Sequence, residues 1–290
     1  MGGGVVSAPG DVLPSLFGRY AAERQRQLPP SPMLSRVLRC SLLALPLVAL
    51  TLTAQGAPEP SPKSPMRSLS ELTATDDPAW PLVQQWVAAA PNAVVLPVDH
   101  HKAEAALTKL QVTLRSPMGA VTYYTGGILV DHGWLRILGS GSERLTRSIP
   151  SWNAGRAPTD AAGHSAYLLV ADDVLGGFFA INGGGLQGRP GNVFYLAPDS
   201  LEWEDMSMGY TDFLRWALSA RVDQFYSDNR WPHWQDEVAK VPGDKALSVY
   251  PFLWAKGPTI EHRSRRAVPV EEVYGVTMDA RRQLGGTATR

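Results

Sequence analysis

The order of apolar and polar positions predicts a block of β-strands with helices before and after it. Short runs rich in β-branched and aromatic residues are separated by Gly, Asp or Asn, as in hairpins of an antiparallel meander. The runs predicted as strands cover residues 120–124, 126–131, 134–140, 166–173, 176–182 and 192–198. A proline-containing loop near Trp152 divides them into two groups. Because the strands stand together, the pattern predicts an α+β fold with a mostly antiparallel sheet.

Apolar positions at helical spacing, with capping residues before them, predict the flanking helices. Ser68 with Glu71 fits a capping box that opens a short helix. Asp77 followed by Pro78 fits the start of the next helix, and Asp99 fits the cap of a third. The longer helical patterns cover residues 100–111, 211–226, 231–241 and 270–284.

Residues 33–57 have the order of a secretory signal. Arg36 and Arg39 precede an apolar run of roughly a dozen residues, and small residues follow it. This run is shorter than the ~20 residues that a spanning helix needs, so we expect cleavage and no stable membrane span afterwards. Translation is expected to begin at Met33, which N-terminal sequencing of the precursor tests. The mature protein is then periplasmic or secreted.

This interpretation divides the chain into four parts. Residues 1–32 are an untranslated or disordered extension, 33–57 the signal peptide, 58–67 a proline-rich linker, and 68–285 a single α+β domain. The sole cysteine, Cys40, falls in the signal, so the mature chain has no thiol for disulfides or catalysis. The formal net charge of zero gives no support for a nucleic-acid partner.

The motifs of common enzymes are incomplete in this sequence. Gly183, Gly185 and Gly188 match G-x-G-x-x-G, but a β-rich run follows them where a phosphate-binding helix should begin, so a hairpin is predicted. His100 and His101 are adjacent and cannot easily share one metal ion, so neither a metal nor another cofactor is predicted. A nucleophile elbow of the G-x-S-x-G type is also missing.

Two acidic groups at strand ends are the candidate site. Its residues are Asp172, Asp173, Glu202, Trp203, Glu204 and Asp205. Paired carboxylates serve as the acid and base of a hydrolase. The same residues are also typical of a solvated turn, or of an acidic rim with an aromatic anchor that binds a basic partner protein.

The segment from Tyr167 to Leu218 resembles the SUKH superfamily, the Smi/Knr-like immunity proteins that neutralise toxins. It runs from YLLVADD through GGFFAIN and NVFYL to the acidic turn and TDFLRWAL. A wider pattern, including PAWPLVQQW, GGILVDHGWLRILGSGS and SLEWEDMSMGYTDFLRWAL, resembles the bacterial family called domain of unknown function 2625 over nearly all of residues 68–280. The resemblance implies a curved antiparallel sheet, no enzyme activity, and a partner-facing surface at the acidic residues.

The sequence therefore predicts an exported, non-enzymatic protein-binding module, of the immunity type that neutralises a toxin. The alternative is a periplasmic hydrolase that uses carboxylates or His132 at the strand ends. A structural protein of the cell envelope is a third hypothesis.

Overall fold

A computed structural model describes residues 66–159 and 163–284 of the 290-residue chain. The predicted extension, the export signal and nearly all of the linker lie outside these residues. Seven strands form one sheet in chain order, and every neighbouring pair is antiparallel. They are β1 Ala93–Val95, β2 Gly127–Val130, β3 Leu135–Leu138, β4 Tyr167–Asp173, β5 Phe178–Asn182, β6 Asn192–Leu196 and β7 Trp203–Gly209. The predicted α+β class with an antiparallel sheet is confirmed.

Both faces of this sheet are buried. Ile128 and Val130 belong to one hydrophobic cluster, whereas Leu129 between them belongs to another. Phe178 and Phe179 divide between the two clusters in the same way. Since successive strand residues point to opposite faces, these assignments mean that packed layers cover the sheet on each side. This explains why the central strands are continuous apolar runs and do not alternate with polar residues.

Nine helices and a second, two-stranded antiparallel sheet surround the large sheet within the described residues. The helices are α1 Leu69–Thr73, α2 Trp80–Ala88, α3 His100–Leu110, α4 Pro117–Tyr124, α5 Ile149–Asn153, α6 Tyr210–Ala217, α7 Arg221–Tyr226, α8 Trp234–Val238 and α9 Val270–Gln283. The small sheet pairs β8 Lys245–Tyr250 with β9 Ser264–Pro269. Among these helices, each is too short or too polar to cross a bilayer.

Several local predictions are confirmed. Ser68 and Glu71 form the capping box of α1, and the Asp99 side chain accepts a hydrogen bond from the Lys102 backbone at the start of α3. The glycine-rich segment does connect β5 to β6 as a hairpin. By contrast, α2 begins at Trp80 with Ala79 as its N-cap, and not at Asp77.

Other local predictions are wrong. Residues 120–124 lie in helix α4 and not in a strand, because Ser116 caps the backbone N–H of Gly119 and Pro117 fills the first helical turn. The predicted helix over 211–226 is two helices that meet at residues 218–220. Strands β1, β7, β8 and β9 were not predicted; three of them mix polar residues into their pattern.

Candidate functional site

The predicted acidic surface is not one surface. Asp172 and Asp173, at the end of β4, are both fully buried, so neither can meet a partner protein at the molecular surface. Asp172 lies opposite Arg136 on β3 and accepts hydrogen bonds from Arg136 and Arg147, the shortest being 2.6 Å from Arg147 Nη1. This part of the predicted site is therefore wrong, because two buried guanidinium groups occupy the carboxylate.

Asp173 points to the other face of the sheet. Its Oδ1 accepts the backbone N–H groups of Leu175 and Gly177, both at 2.9 Å. Its Oδ2 accepts the hydroxyls of Tyr195 at 2.7 Å and Tyr226 at 3.2 Å. Burial raises the pKa of Asp173, although these hydrogen bonds act in the opposite direction. The carboxyl group is an interior acceptor that closes the β4–β5 turn.

The second acidic group lies at the start of the edge strand β7. Glu202 is exposed, and Trp203 is partly buried, with its ring 5.2 Å from the ring of Tyr167. Ser200 donates a hydrogen bond to Glu204 at 3.3 Å. Both oxygens of Asp205 accept the Asn192 side-chain amide. Of these four residues only Glu202 is exposed, and partner binding at this turn stays a prediction.

A cleft of about 530 Å³ opens at the end of the large sheet, where the β2–β3 turn faces the α6–α7 connection. This volume is within the range of ~300–1,000 Å³ that is typical of small-molecule sites. We call it the Asp131 cleft; its polar and aromatic lining residues are Asn92, Asp131, His132, Ser219, Asp223, Arg230, Trp234 and Gln235. His132, the histidine of the hydrolase alternative, lies here and is exposed.

Asp131 and Asp223 share one guanidinium group. Arg230 donates from Nη2 to Asp131 Oδ2 and from Nη1 to Asp223 Oδ1, the second bond at 2.7 Å. The Asn92 side-chain amide donates to the other oxygen of Asp131, and the Asn92 carbonyl accepts the Asp131 backbone N–H at 3.0 Å. The buried carboxylate of Asp131 therefore lies where three segments meet: the end of β2, the α2–β1 connection and α7.

Burial raises the pKa of Asp131, and so does the neighbouring carboxyl group of Asp223. Arg230 and Asn92 act against this rise by stabilising the ionised form, yet burial outweighs them. Asp131 is only 5% exposed, whereas the Asp223 side chain is 53% exposed. The two carboxylates therefore differ in environment although they hold the same arginine.

Aromatic rings form the floor beneath Arg230. The guanidinium lies 4.0 Å from the ring centre of Trp234 and 5.3 Å from that of Trp134. The His132 ring meets the edge of Trp234 at 5.8 Å. Arg230 Nε is buried and finds no hydrogen-bond partner in the described part of the chain. Stacking on tryptophan holds the guanidinium plane and fixes the position of both carboxylates.

The backbone of the β2–β3 turn is strained at this cleft. Asp131 and His132 have φ angles of 50° and 58°, and Gly133 follows with φ 92°. Positive φ costs non-glycine residues energy, although Asp and His tolerate it better than most. The turn places the Asp131 side chain inward against Arg230 and leaves His132 at the rim.

Sequence reasoning found His132 but missed Asn92, Asp131, Asp223 and Arg230. The signal for Asp131 was present in the Asp-His-Gly triplet, which was interpreted as a turn only. Arg230 lies 99 residues further along the chain, and no local pattern links it to Asp131. Within residues 66–159 and 163–284, no three His, Cys, Asp or Glu side chains are placed to hold a metal ion.

Comparison with known proteins gives a consistent family. The family described as protein of unknown function DUF2625 matches residues 69–273. The uncharacterized protein YbfG of Escherichia coli (strain K12) is 46% identical over 210 residues, which is 72% of this chain and 94% of YbfG. An uncharacterized protein of Haemophilus influenzae (strain Rd) is 40% identical over 211 residues, covering 72% of this chain and 92% of that protein.

Proposed function

This chain belongs to the DUF2625 family of proteins of unknown function, and we propose that it binds a small polar ligand in the Asp131 cleft. One observation carries the proposal. Two carboxylates, a guanidinium, a histidine and a tryptophan converge from four separate chain segments on a cavity of ligand size. Convergence of titratable groups with a shifted pKa in the same cleft is typical of binding and catalytic sites.

The strained turn supports the same proposal. Strain in a β-turn persists where the surroundings compensate for it, and it is concentrated at binding and catalytic sites. Here the compensation is visible, because the side chains of Asn92 and Arg230 both donate to Asp131.

The proposal is tested by NMR titration with four small probes, 1,4-diaminobutane, 1,4-butanediol, glucose and succinate. We expect at least one probe to cause saturable shifts of the backbone amides of residues 131–133 and 218–220. Replacing the exposed Ala220 by Trp narrows the cleft, because Ala220 is one of its lining residues. This substitution should weaken that binding by about tenfold or more, which corresponds to ~1.4 kcal/mol.

Ala239→Trp is the matched control. Ala239 is also exposed, at the end of α8, but it does not line the cleft. It should leave the affinity unchanged. If none of the probes shifts these amides saturably, or if Ala220→Trp binds as tightly as Ala239→Trp, the cleft is not the functional site.

The other functional expectations drawn from the sequence remain predictions. Export through residues 33–57, an immunity-type role and binding of a protein at Glu202 rest on the sequence and on the SUKH resemblance. The hydrolase alternative now refers to the Asp131 cleft, since His132 and two carboxylates line it. Both ligand binding and hydrolysis begin with occupancy of this cleft, which is what the titration measures.

A further inference from the structure

The charges of the Asp131 cleft do not balance. Its lining carries the two carboxylates of Asp131 and Asp223 but only one guanidinium, that of Arg230. Arg230 already donates to both carboxylates, so its Nη1 and Nη2 groups are engaged. The cleft therefore presents hydrogen-bond acceptors and excess negative charge when both acids are ionised.

Resting on the proposed function, we propose that the ligand is a small alkylammonium compound whose amine lies beside Asp223 and Asp131. An ammonium group is a compact donor of three hydrogen bonds and needs acceptors around it. Asp223 supplies them at the mouth of the cleft, where its side chain is half exposed and within reach of an entering ligand. Asp131 lies behind Asp223 in the interior, where Arg230 and Asn92 already donate to its two oxygens.

An anionic ligand fits this cleft poorly. It would have to compete with two carboxylates for Arg230 and face both of them at close range, at a cost in like-charge repulsion. Two of the other polar groups in the lining are already engaged. The Ser219 hydroxyl already donates to the Trp216 carbonyl at 2.8 Å. Asn92 already donates its side-chain amide to Asp131.

A neutral polyol is the closer competitor. It would hydrogen bond to the carboxylates without gaining charge attraction. An alcohol that donates to a carboxylate also forms a charge-assisted hydrogen bond. The Coulomb attraction between an ammonium and a carboxylate is therefore what should separate an amine from an alcohol of equal length. Three four-carbon compounds isolate this difference: 1,4-diaminobutane, 1,4-butanediol and succinate.

Isothermal titration calorimetry of the whole protein with these three probes tests the proposal. We expect 1,4-diaminobutane to bind about tenfold or more tightly than 1,4-butanediol, and succinate to be the weakest. The affinity for the diamine should fall as salt is added, because Asp223 is partly exposed to screening ions. Asp223→Asn should weaken diamine binding about tenfold and butanediol binding much less, because only the diamine loses a Coulomb attraction.

Asp212→Asn is the matched control, since Asp212 is an exposed aspartate on α6 that also pairs with an arginine but does not line the cleft. It should bind the diamine like the unmodified protein. Failure of the diamine to bind, equal affinity for butanediol or succinate, or normal diamine binding by Asp223→Asn would overturn the proposal. If another probe still occupies the cleft in the NMR titration, the ligand-binding function stands and the ammonium preference alone fails.

Discussion

At the scale of single residues, Asp173 shows how an acidic side chain at a strand end becomes part of the core. Four donors surround its carboxyl group, two from backbone and two from tyrosines. A Cβ on Gly177 would lie only 2.2 Å from Asp173 Oδ2, so glycine is required beside it. Burial raises the pKa of both Tyr195 and Tyr226, and the nearby Asp173 carboxyl group raises it further. Both tyrosine hydroxyls therefore keep their protons and donate hydrogen bonds.

The raised pKa of Asp173 gives its contribution to stability a defined pH dependence. The folded state favours the protonated carboxyl, so this contribution is complete below the unfolded pKa of about 3.9 and is lost as pH rises through the folded pKa. We expect the advantage of the unmodified protein over Asp173→Asn, in free energy of unfolding, to shrink as pH rises. Urea unfolding at several pH values measures it.

Asp244→Asn is a control of opposite sign. Burial acts to raise the pKa of Asp244, but hydrogen bonds from Thr146 and the charge of Arg147 lower it on balance. Its contribution should therefore be present above the unfolded pKa and disappear as pH falls through the folded pKa. If the Asp173 difference instead grows with pH, its carboxyl group is stabilised in the ionised form.

At the scale of elements, helix α4 shows a cap overriding local strand propensity. Its sequence contains Val121, Thr122 and two tyrosines, which fit a strand at least as well as a helix. Ser116 decides the outcome, because its Oγ accepts the Gly119 backbone N–H at 3.0 Å and donates to the Thr113 carbonyl at 3.0 Å. The cap fixes where α4 begins.

Ser116→Ala should therefore reduce the free energy of unfolding by about 1 kcal/mol, the usual cost of removing an N-cap. Ser116→Thr keeps a hydroxyl at the same place and should lose much less. Thermal unfolding followed by circular dichroism compares the two variants. Equal stability of Ser116→Ala and the unmodified protein would show that packing of α4, and not its cap, selects the helix.

At the scale of the whole molecule, Arg147 joins the two sheets. It donates to Asp172 in the large sheet and to Asp244 and the Gly243 carbonyl, which directly precede β8. Its guanidinium also lies 4.6 Å from the Trp152 ring centre. Arg147 is 7% exposed, so these ion pairs are shielded from water.

Arg147→Ala should cost about 3–5 kcal/mol, since it leaves Asp172 buried with one arginine partner at 3.4 Å. Hydrogen exchange should accelerate first in the β8–β9 hairpin, which loses its connection to β4. Arg282→Ala is the control, because Arg282 pairs with Asp279 on the surface, where such pairs contribute about 1 kcal/mol or less. If Arg147→Ala loses no more free energy of unfolding than Arg282→Ala does, the proposed role of Arg147 in joining the two sheets is contradicted.

The sequence predicted more of the fold than of the site. Five of the six predicted strands and the caps at Ser68 and Asp99 are confirmed, because apolar runs, turn residues and capping are properties of neighbours in the chain. The placement of Asp172 and Asp173 on an exposed surface was wrong for the same reason. Asp172 and Asp173 had every local feature of an exposed acidic turn. No residue near them in the sequence indicated that Arg147, Tyr195 or Tyr226 would be their partners.

By itself, the sequence determined the α+β class, the order of the hairpins and the family to which the chain belongs. Only the tertiary structure decided which carboxylates are interior acceptors and which line a cleft. The physical reason is that the environment of a charge depends on groups far away in sequence. Asp131 meets its arginine across 99 residues, and Asp172 meets Arg147 across 25.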